Sequence, residues 1–200
     1  MLTYLHPENP QKREIKRISE ELLAGKIKIL PTDTVYAFVT ALGDKKSIEQ
    51  IYNLKNISYS KPLSLYCKDF SQADQFIKMP SNQAFRWMKS HLPGPYTLVF
   101  RASKNLPQYT LTRQKTVGVR IINHPVIQEI LECLDTPLIG SSVSNEGLYY
   151  HYPDDLDDLY GKRVSEIVDG GIGEVELSTI IDATGFPFEV IREGKGPVDF

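Results

Sequence analysis

The stretch Gly25-Lys-Ile-Lys-Ile-Leu-Pro-Thr-Asp-Thr-Val-Tyr36 carries the reading of this chain. Its apolar run, residues 27–30, has strand length and stops at Pro31. Proline has no N–H to give to a ladder, so the backbone turns there. Thr32, Asp33 and Thr34 then stand at a strand end, the place where open α/β sheets bind ligands. The same three residues also make an ordinary turn or helix cap. Later segments favour the first reading, because they repeat the build of a strand with a polar tip.

Working outward, Asn9-Pro10 starts a helix with a side-chain cap and a proline at the first helical position. Ile15, Ile18 and Leu22 repeat at helical spacing, and Gly25 stops the run. Asp44 or Ser47 opens a second helix, with Ile48, Ile51, Tyr52 and Leu54 inward and Lys55 at its end. Residues 62–66 read as a strand, and 71–78 and 81–90 as helices with Phe85 and Met88 inward. Pro93-Gly94-Pro95 breaks the chain before strands at 96–101 and 116–121. Asn123 caps a helix over 124–133, with Val126, Ile127, Ile130 and Leu131 on its apolar face. Residues 137–142 form a buried strand ending in serines. The acids of 154–158 suit the start of a helix, and 167–171, 179–182 and 188–192 are short strands. Strands and helices mixed without strict alternation, with no repeat and no linker, predict one α/β (α+β) domain over residues 1–200. Its sheet should be mixed and twisted, with flanking helices.

The 200 residues are 41% hydrophobic and 24% charged, which excludes a low-complexity or disordered chain. No apolar run reaches the length of a membrane span. The N-terminus lacks the basic-then-apolar layout of a signal peptide. A cytoplasmic protein with no membrane partner is expected. Cys67 and Cys133 form no CxxC pair and are expected as buried reduced thiols. The histidines lack metal-ligand spacing, so no metal site is assigned. The net charge of −2 hides a polarised chain. Residues 1–120 hold 19 Lys+Arg against 9 Asp+Glu, and residues 121–200 hold 4 against 16. Such asymmetry marks a face for an anionic ligand or nucleic acid. Alternatively, the two portions fold together and their charges interleave.

The strand tips and helix ends collect hydroxyls and cations: Thr32 and Thr34 around Asp33, Lys55, Lys61, Thr116, Arg120, Ser141, Ser142, Ser144, Ser178, Thr179 and Arg192. They contain no Ser-His-Asp set, no paired catalytic carboxylates and no thiol-histidine pair. Cations with hydroxyls suit an anionic ligand, Arg forking onto carboxylate or phosphate and Lys acting as a point charge. No GxxxxGK is present, so any nucleotide is held without a P-loop. Taken singly, each cation reads as a surface salt bridge; joint placement at strand ends is what points to a site.

Pro31-Thr-Asp-Thr-Val-Tyr36, Lys61-Pro-Leu63, Pro93-Gly-Pro-Tyr-Thr97, Thr116-Val-Gly-Val-Arg120, Ser178-Thr-Ile-Ile-Asp182 and Ile191-Arg-Glu-Gly194 occur in the order of one family. Over nearly the whole chain they resemble the YrdC/YciO superfamily, which includes the threonylcarbamoyl-AMP synthases. His6-Pro-Glu-Asn-Pro10 and the length look most like the YciO-like branch. The resemblance implies a YrdC-like domain with a central concave pocket. It implies a nucleotidyltransferase that joins L-threonine, bicarbonate and ATP, with Mg²⁺, into threonylcarbamoyl-AMP for tRNA modification, releasing pyrophosphate. By the same resemblance, Thr32, Arg120 and Thr179 hold threonine, while Lys55, Thr116, Ser142, Ser144 and Arg192 face ATP. Lys55 and Arg120 are the implied catalytic groups, acting through position and charge. Asp33 is expected to orient a neighbour as an acceptor rather than act as a base. Longer synthases carry a C-terminal domain for which this chain has no room.

Two departures bear on activity. The family's Lys-x-Arg reads Lys55-Asn56-Ile57, and its Ser-Ala-Asn reads Ser142-Val143-Ser144, with Asn145 one place late. Ile57 cannot fork onto a phosphate. A lost charge-assisted hydrogen bond costs about 1.5–3 kcal/mol, about ten- to a hundredfold in affinity or rate. Weakened synthase activity is therefore expected, with Lys61, Arg113 or Lys115 as other sources of the charge. The alternative is a YrdC-fold protein without synthase activity that binds double-stranded RNA or tRNA on its basic face. Such binding weakens steeply with salt.

Overall fold

The computed structural model describes residues 1–110, 114–145 and 148–198, with the side chains of 144, 145 and 149 outside that description. Along the chain, β1 (Leu2–Tyr4) and α1 (Lys12–Leu23) precede β2 (Lys28–Leu30), β3 (Ala37–Ala41) and α2 (Lys45–Lys55). Then come β4 (Ser64–Tyr66), α3 (Phe70–Asp74), β5 (Ile77–Lys78), α4 (Asn82–His91), β6 (Tyr96–Ala102) and β7 (Thr116–Arg120). The last stretch holds α5 (Pro125–Glu132), β8 (Leu138–Ser142), β9 (Ser144–Asn145), β10 (Leu148–Tyr149), α6 (Pro153–Tyr160), β11 (Glu166–Asp169), β12 (Thr179–Asp182) and β13 (Glu189–Arg192).

Among the described residues the main sheet runs β1-β11-β2-β3-β8-β4-β7-β6-β12-β13, with β5 beside β6 and β9-β10 paired separately. Pairing is mixed, as expected: β4–β7 and β6–β12 are parallel, while β2–β3, β3–β8 and β6–β7 are antiparallel. The sequence reading had no β3. All five of its residues are buried, so Ala-Phe-Val-Thr-Ala shows neither the period of a half-exposed strand nor that of a helix. Because β3 returns beside β2, with Leu30 opposite Ala37, residues 31–36 form the connection of a hairpin.

The helices cover the two faces of the sheet unequally. On one face, Ile48 and Ile51 of α2, Met88 of α4 and Leu156 of α6 pack with Ile29, Phe38, Leu65, Leu98, Val119, Ile139 and Ile181. This core spans the sheet. On the other face, Ile15, Ile18 and Leu22 of α1 join Ile127 and Ile130 of α5 against Leu30, Val39, Tyr66, Leu138 and Val168. That second core stops at β4 and takes nothing from β6, β7, β12 or β13. Half of one sheet face is therefore left without a helical cover.

Details differ from expectation at several element ends. α1 begins after Gln11, not at Pro10, and Gln11 makes no side-chain cap bond. Gly25 ends it with φ +80°, where a Cβ would lie 2.4 Å from the Asp44 carboxylate. Asp44 caps α2 by accepting from the Lys46 N–H. Phe85, expected inward, is 42% exposed. His124, not Asn123, caps α5, its Nδ1 accepting from the Val126 N–H at 3.3 Å. Cys67 is buried, and burial pushes its thiol up to about 12, whereas Cys133 is exposed, against expectation.

Under α1 lies an ion cluster that the sequence reading did not anticipate. Lys28 and Glu166, both closed to solvent, pair on neighbouring strands. Lys28 also reaches Glu21 at 2.8 Å, and Arg17 reaches Glu166 at 2.5 Å and Glu21 at 3.0 Å. The Thr3 hydroxyl donates to Glu166 at 2.6 Å. Burial raises the Glu166 carboxyl, but the hydrogen bonds from Arg17, Lys28 and Thr3 outweigh it and hold the group below the usual range. The two pairs to Glu166 join the basic first portion of the chain to the acidic second, so here the charges interleave.

Candidate functional site

The bare half of the sheet carries the polar strand tips. A hollow of about 310 Å³ is lined by Thr34, Lys61, Thr97, Arg120, Ser142, Ser178 and Arg192, with Pro62, Tyr66 and Ile180 as apolar wall. Strand alternation explains the set. Thr97 pairs with Ile180, and Ser64 with both Gly118 and Gly140, so these positions share a face with Tyr66, Arg120 and Ser142. Glycine at 118 keeps the floor low: a Cβ there would sit 3.0 Å from the Ser64 hydroxyl and 3.1 Å from the Thr97 methyl.

Arg120 is the centre of this hollow. Its side chain is 6% exposed and meets Asp33, 8% exposed, at 2.5 Å. The same Nη2 donates to the Thr34 hydroxyl at 3.0 Å, and the guanidinium lies 5.7 Å from the Tyr66 ring centre. Asp33 turns its other oxygen to the Asn123 N–H at 3.0 Å, so it acts as an acceptor that holds Arg120 in place. Arg120 Nε is buried and has no hydrogen-bond partner. A buried donor left open is uncommon and requires an explanation.

The other predicted residues fall into place unevenly. Arg192 donates to the Ser178 carbonyl at 2.7 Å while lining the hollow. Lys55, half-buried, donates to the Ser142 carbonyl and so stands at the rim. Burial, helped by Lys61, lowers its ammonium to about 8. Thr32 lies next door, lining a second hollow of about 360 Å³ with Tyr36, His124, Lys195 and the 170–173 backbone. Its hydroxyl is used within the hairpin loop, donating to the Val35 carbonyl at 2.8 Å and accepting from the Thr34 N–H. The Asp33–Arg120 pair divides the two hollows. Burial lowers His124, with Asp33 opposing.

Four predicted positions lie away from this hollow or out of view. Thr179 is fully buried, and its hydroxyl holds the C-terminal tail, donating to the Gly196 carbonyl at 2.6 Å and accepting from the Gly194 N–H. The residue facing the hollow is Ser178, whose hydroxyl lies 2.8 Å from that of Thr97. Period two on β12 carried this signal: Thr179 shares the face of core residue Ile181, which leaves Ser178 to the other. Thr116 stands at the far end of β7 from Arg120, about 13 Å along the strand. It lines a different hollow, with Lys115 beside it. Arg113 and the side chain of Ser144 lie outside the described residues.

Ile57, where the family motif has arginine, has a local role. Asn56 takes φ +51° at the end of α2, its N–H bonding the Asn53 carbonyl, and the Ile57 N–H bonds the Tyr52 carbonyl at 3.2 Å. This is the Schellman pattern, which favours an apolar residue at that position. The Ile57 side chain packs on the large core cluster that contains Tyr52.

No His, Cys, Asp and Glu group among the described residues is arranged to hold a metal ion. No described helix is long and apolar enough to cross a membrane.

Fold and hollow together define a class: a mixed α/β domain whose half-bare sheet face builds an arginine-centred, hydroxyl-rich hollow. A family model described as telomere recombination, the Sua5/YciO/YrdC domain, matches residues 20–194, and the chain belongs to that family. It is 33% identical over 198 residues to YciO of Escherichia coli, an uncharacterized protein, covering 98% of this chain and 96% of that one. The E. coli YciO crystal structure matches with a TM-score of 0.93 at 32% identity, covering 99% and 97%. A putative threonylcarbamoyl-AMP synthase of Methanocaldococcus jannaschii is 28% identical over 195 residues, 96% of this chain and 90% of that one. Pyrococcus abyssi Sua5, solved in complex with L-threonine, shares the fold at TM-score 0.89 and 24% identity, over 97% of this chain and 57% of that one.

Proposed function

We propose that this protein is a cytoplasmic nucleotidyltransferase that makes threonylcarbamoyl-AMP from L-threonine, bicarbonate and MgATP, for tRNA modification, at a reduced rate. The observation that carries the reading is Arg120: fixed by Asp33 and Thr34, buried, with an Nε that has no hydrogen-bond partner, and lining a hollow with hydroxyls and further cations. Curated relatives with threonylcarbamoyl-AMP synthase names support the choice of reaction.

In this reading Arg120 takes the threonine carboxylate, and Ser178 with Thr97, in place of Thr179, takes the substrate hydroxyl. Thr32 acts through Thr34, whose hydroxyl lies 3.1 Å from its own. Bicarbonate loses hydroxide to give CO₂, and the neutral amine adds to that carbon and passes a proton to the hydroxide as water. The resulting carbamate oxygen displaces pyrophosphate from the α-phosphate. Ser142, Arg192, Lys61 and Lys55 hold the phosphates in line, so catalysis is positioning and charge. The lining has no carboxylate, so Mg²⁺ enters on the nucleotide phosphates, its usual carrier. Ile57, packed in the α2 cap, leaves the phosphates one guanidinium short.

The test is pyrophosphate release that requires threonine, bicarbonate and ATP together, with ATP binding followed by calorimetry. Absence of both turnover and ATP binding would end this reading. Ile57→Arg should raise turnover and ATP affinity about tenfold. An unchanged Ile57→Arg assigns the hollow to other chemistry. Salt-sensitive tRNA or duplex RNA binding without turnover would favour the RNA-binding alternative. That alternative loses some ground because Arg17 and Lys28 are already paired with acids.

A further inference from the structure

At the far end of the bare sheet face, strand register brings together cations that form no ion pair among the described residues. Lys78 of β5 pairs directly with Arg101 of β6, and Arg101 pairs with Thr116 of β7. Like charges placed opposite each other across strands are destabilising. Lys115 joins them from the turn into β7, held at φ +55° while its carbonyl accepts from the Ala102 N–H at 2.9 Å. The residues line a hollow of about 570 Å³ with Gln114, Thr116 and Asp182. Asp182 is the one carboxylate in that lining, and it forms no ion pair: its Oδ1 accepts from the Thr184 N–H at 2.8 Å. Lys78, Arg101 and Lys115 likewise form no ion pair among the described residues, in contrast to Arg120.

Exposed cations are well solvated, and any one of them alone would mean little. Here three converge on one concavity, two by direct ladder register, beside the Gln114 amide, which can donate. That is the donor set a phosphate-bearing anion needs, with several charges to offset and oxygens to bond.

We propose that the hollow bounded by Lys78, Arg101, Lys115 and Thr116 is a second anion site, taking the two linked phosphates of a pyrophosphate-type group. It is set about 13 Å along β7 from the Arg120 hollow. The group is a free pyrophosphate-type anion, separate from the ATP phosphates assigned to Ser142, Arg192, Lys61 and Lys55.

Pyrophosphate titrated by calorimetry at low salt tests this, without threonine, bicarbonate or turnover, so the result stands apart from the synthase reading. Wild type and Arg120→Lys should bind with affinities within about twofold of each other. The double variant Lys78→Ala/Arg101→Ala should bind about tenfold or more weakly. These side chains are exposed, so the variant should keep the wild-type circular dichroism spectrum and melting transition. No saturable binding by wild type, or loss in Arg120→Lys with the double variant unaffected, would overturn the site. Titration after saturation with ATP tests the separation from the first hollow. Retained one-to-one binding is expected, and binding blocked by ATP would overturn a second site.

Discussion

Under α1, Lys28 and Glu166 are sealed from solvent, and every charge around them has a protein partner: Glu21, Arg17 and the Thr3 hydroxyl complete the cluster. On the uncovered half of the same sheet, Arg120 and Asp33 are nearly as buried, yet Arg120 keeps a donor with nothing to bond. Both regions accept the desolvation of charge, which attraction in the interior offsets only when the geometry is complete. The first closes on itself and can only hold the fold. The second is incomplete without a ligand, and the hollow beside it has the size and lining to admit one. The difference comes from cover: α1 and α5 lie on one half of that face, and among the described residues no helix lies on the other.

Glu166→Ala should show the largest effect. It strands Lys28 as a buried, partly paired charge, and removal of one partner of such a pair costs about 3–5 kcal/mol. Urea unfolding should record that loss, while pyrophosphate and ATP affinities of the folded fraction stay unchanged. A coupled loss of binding would erase the distinction between the two pairs. Acid probes the same cluster. Hydrogen bonding to Lys28 holds Glu21 at about 2, from an ordinary 4.5, so its contribution is present above the ordinary value and lost as pH falls through about 2.

Arg120→Lys should act in the opposite sense. The charge beside Asp33 remains, so stability changes little, but the fork is gone. Threonine affinity should fall by about ten- to a hundredfold, the equivalent of about 1.5–3 kcal/mol. A variant that unfolds readily but binds normally would make this pair structural like the other.

Thr179→Val comes next. It removes the hydroxyl that the tail uses at Gly194 and Gly196, leaving buried polar groups unmatched at about 1–3 kcal/mol. The KM for threonine should stay constant in this variant and rise in Ser178→Ala. The reverse pattern would restore Thr179 to the site.

The smallest effect is a proton. Burial and Lys61 place the Lys55 ammonium at about 8, so near that pH it is about half charged. An anion bound beside it favours the charged form. MgATP binding at pH 8 should then take up about half a proton, read from binding heats in buffers of different ionisation enthalpy. Buffer-independent heats, or the same uptake in Lys55→Met, would remove Lys55 from the phosphate contacts. In the absence of ligand the sign differs. Between about 8 and the ordinary 10.5 the unfolded chain binds more protons at this group, so its effect on stability becomes more favourable as pH rises.

Much of the architecture could be read from local signals. The spacing of Ile15, Ile18 and Leu22, the glycine at 25 and the cap at Asp44 each reappear in the fold, because each is settled within a few residues. β3 escaped because a strand buried on both faces has no polarity to alternate. Phe85 escaped because helical spacing names a face but not which helices share the cover. The site was legible as a set of strand tips, and Arg120, Ser142 and Arg192 do meet in one hollow. Thr116 and Thr179 were placed too generously, since a motif gives order along the chain and not the direction in which a side chain leaves its strand.

What the amino-acid order determined by itself was the list of elements, the family and the polar ends of the strands, since these rest on short-range sterics, capping and burial pattern. Only the tertiary structure decided which charges close on each other and which remain open. Lys28 and Glu166 are 138 residues apart in the chain and Asp33 and Arg120 are 87 apart. Whether such a pair is completed depends on the helix that happens to cover it. That cover is a property of packing across the whole sheet, and it separates the sealed cluster under α1 from the hollow around Arg120.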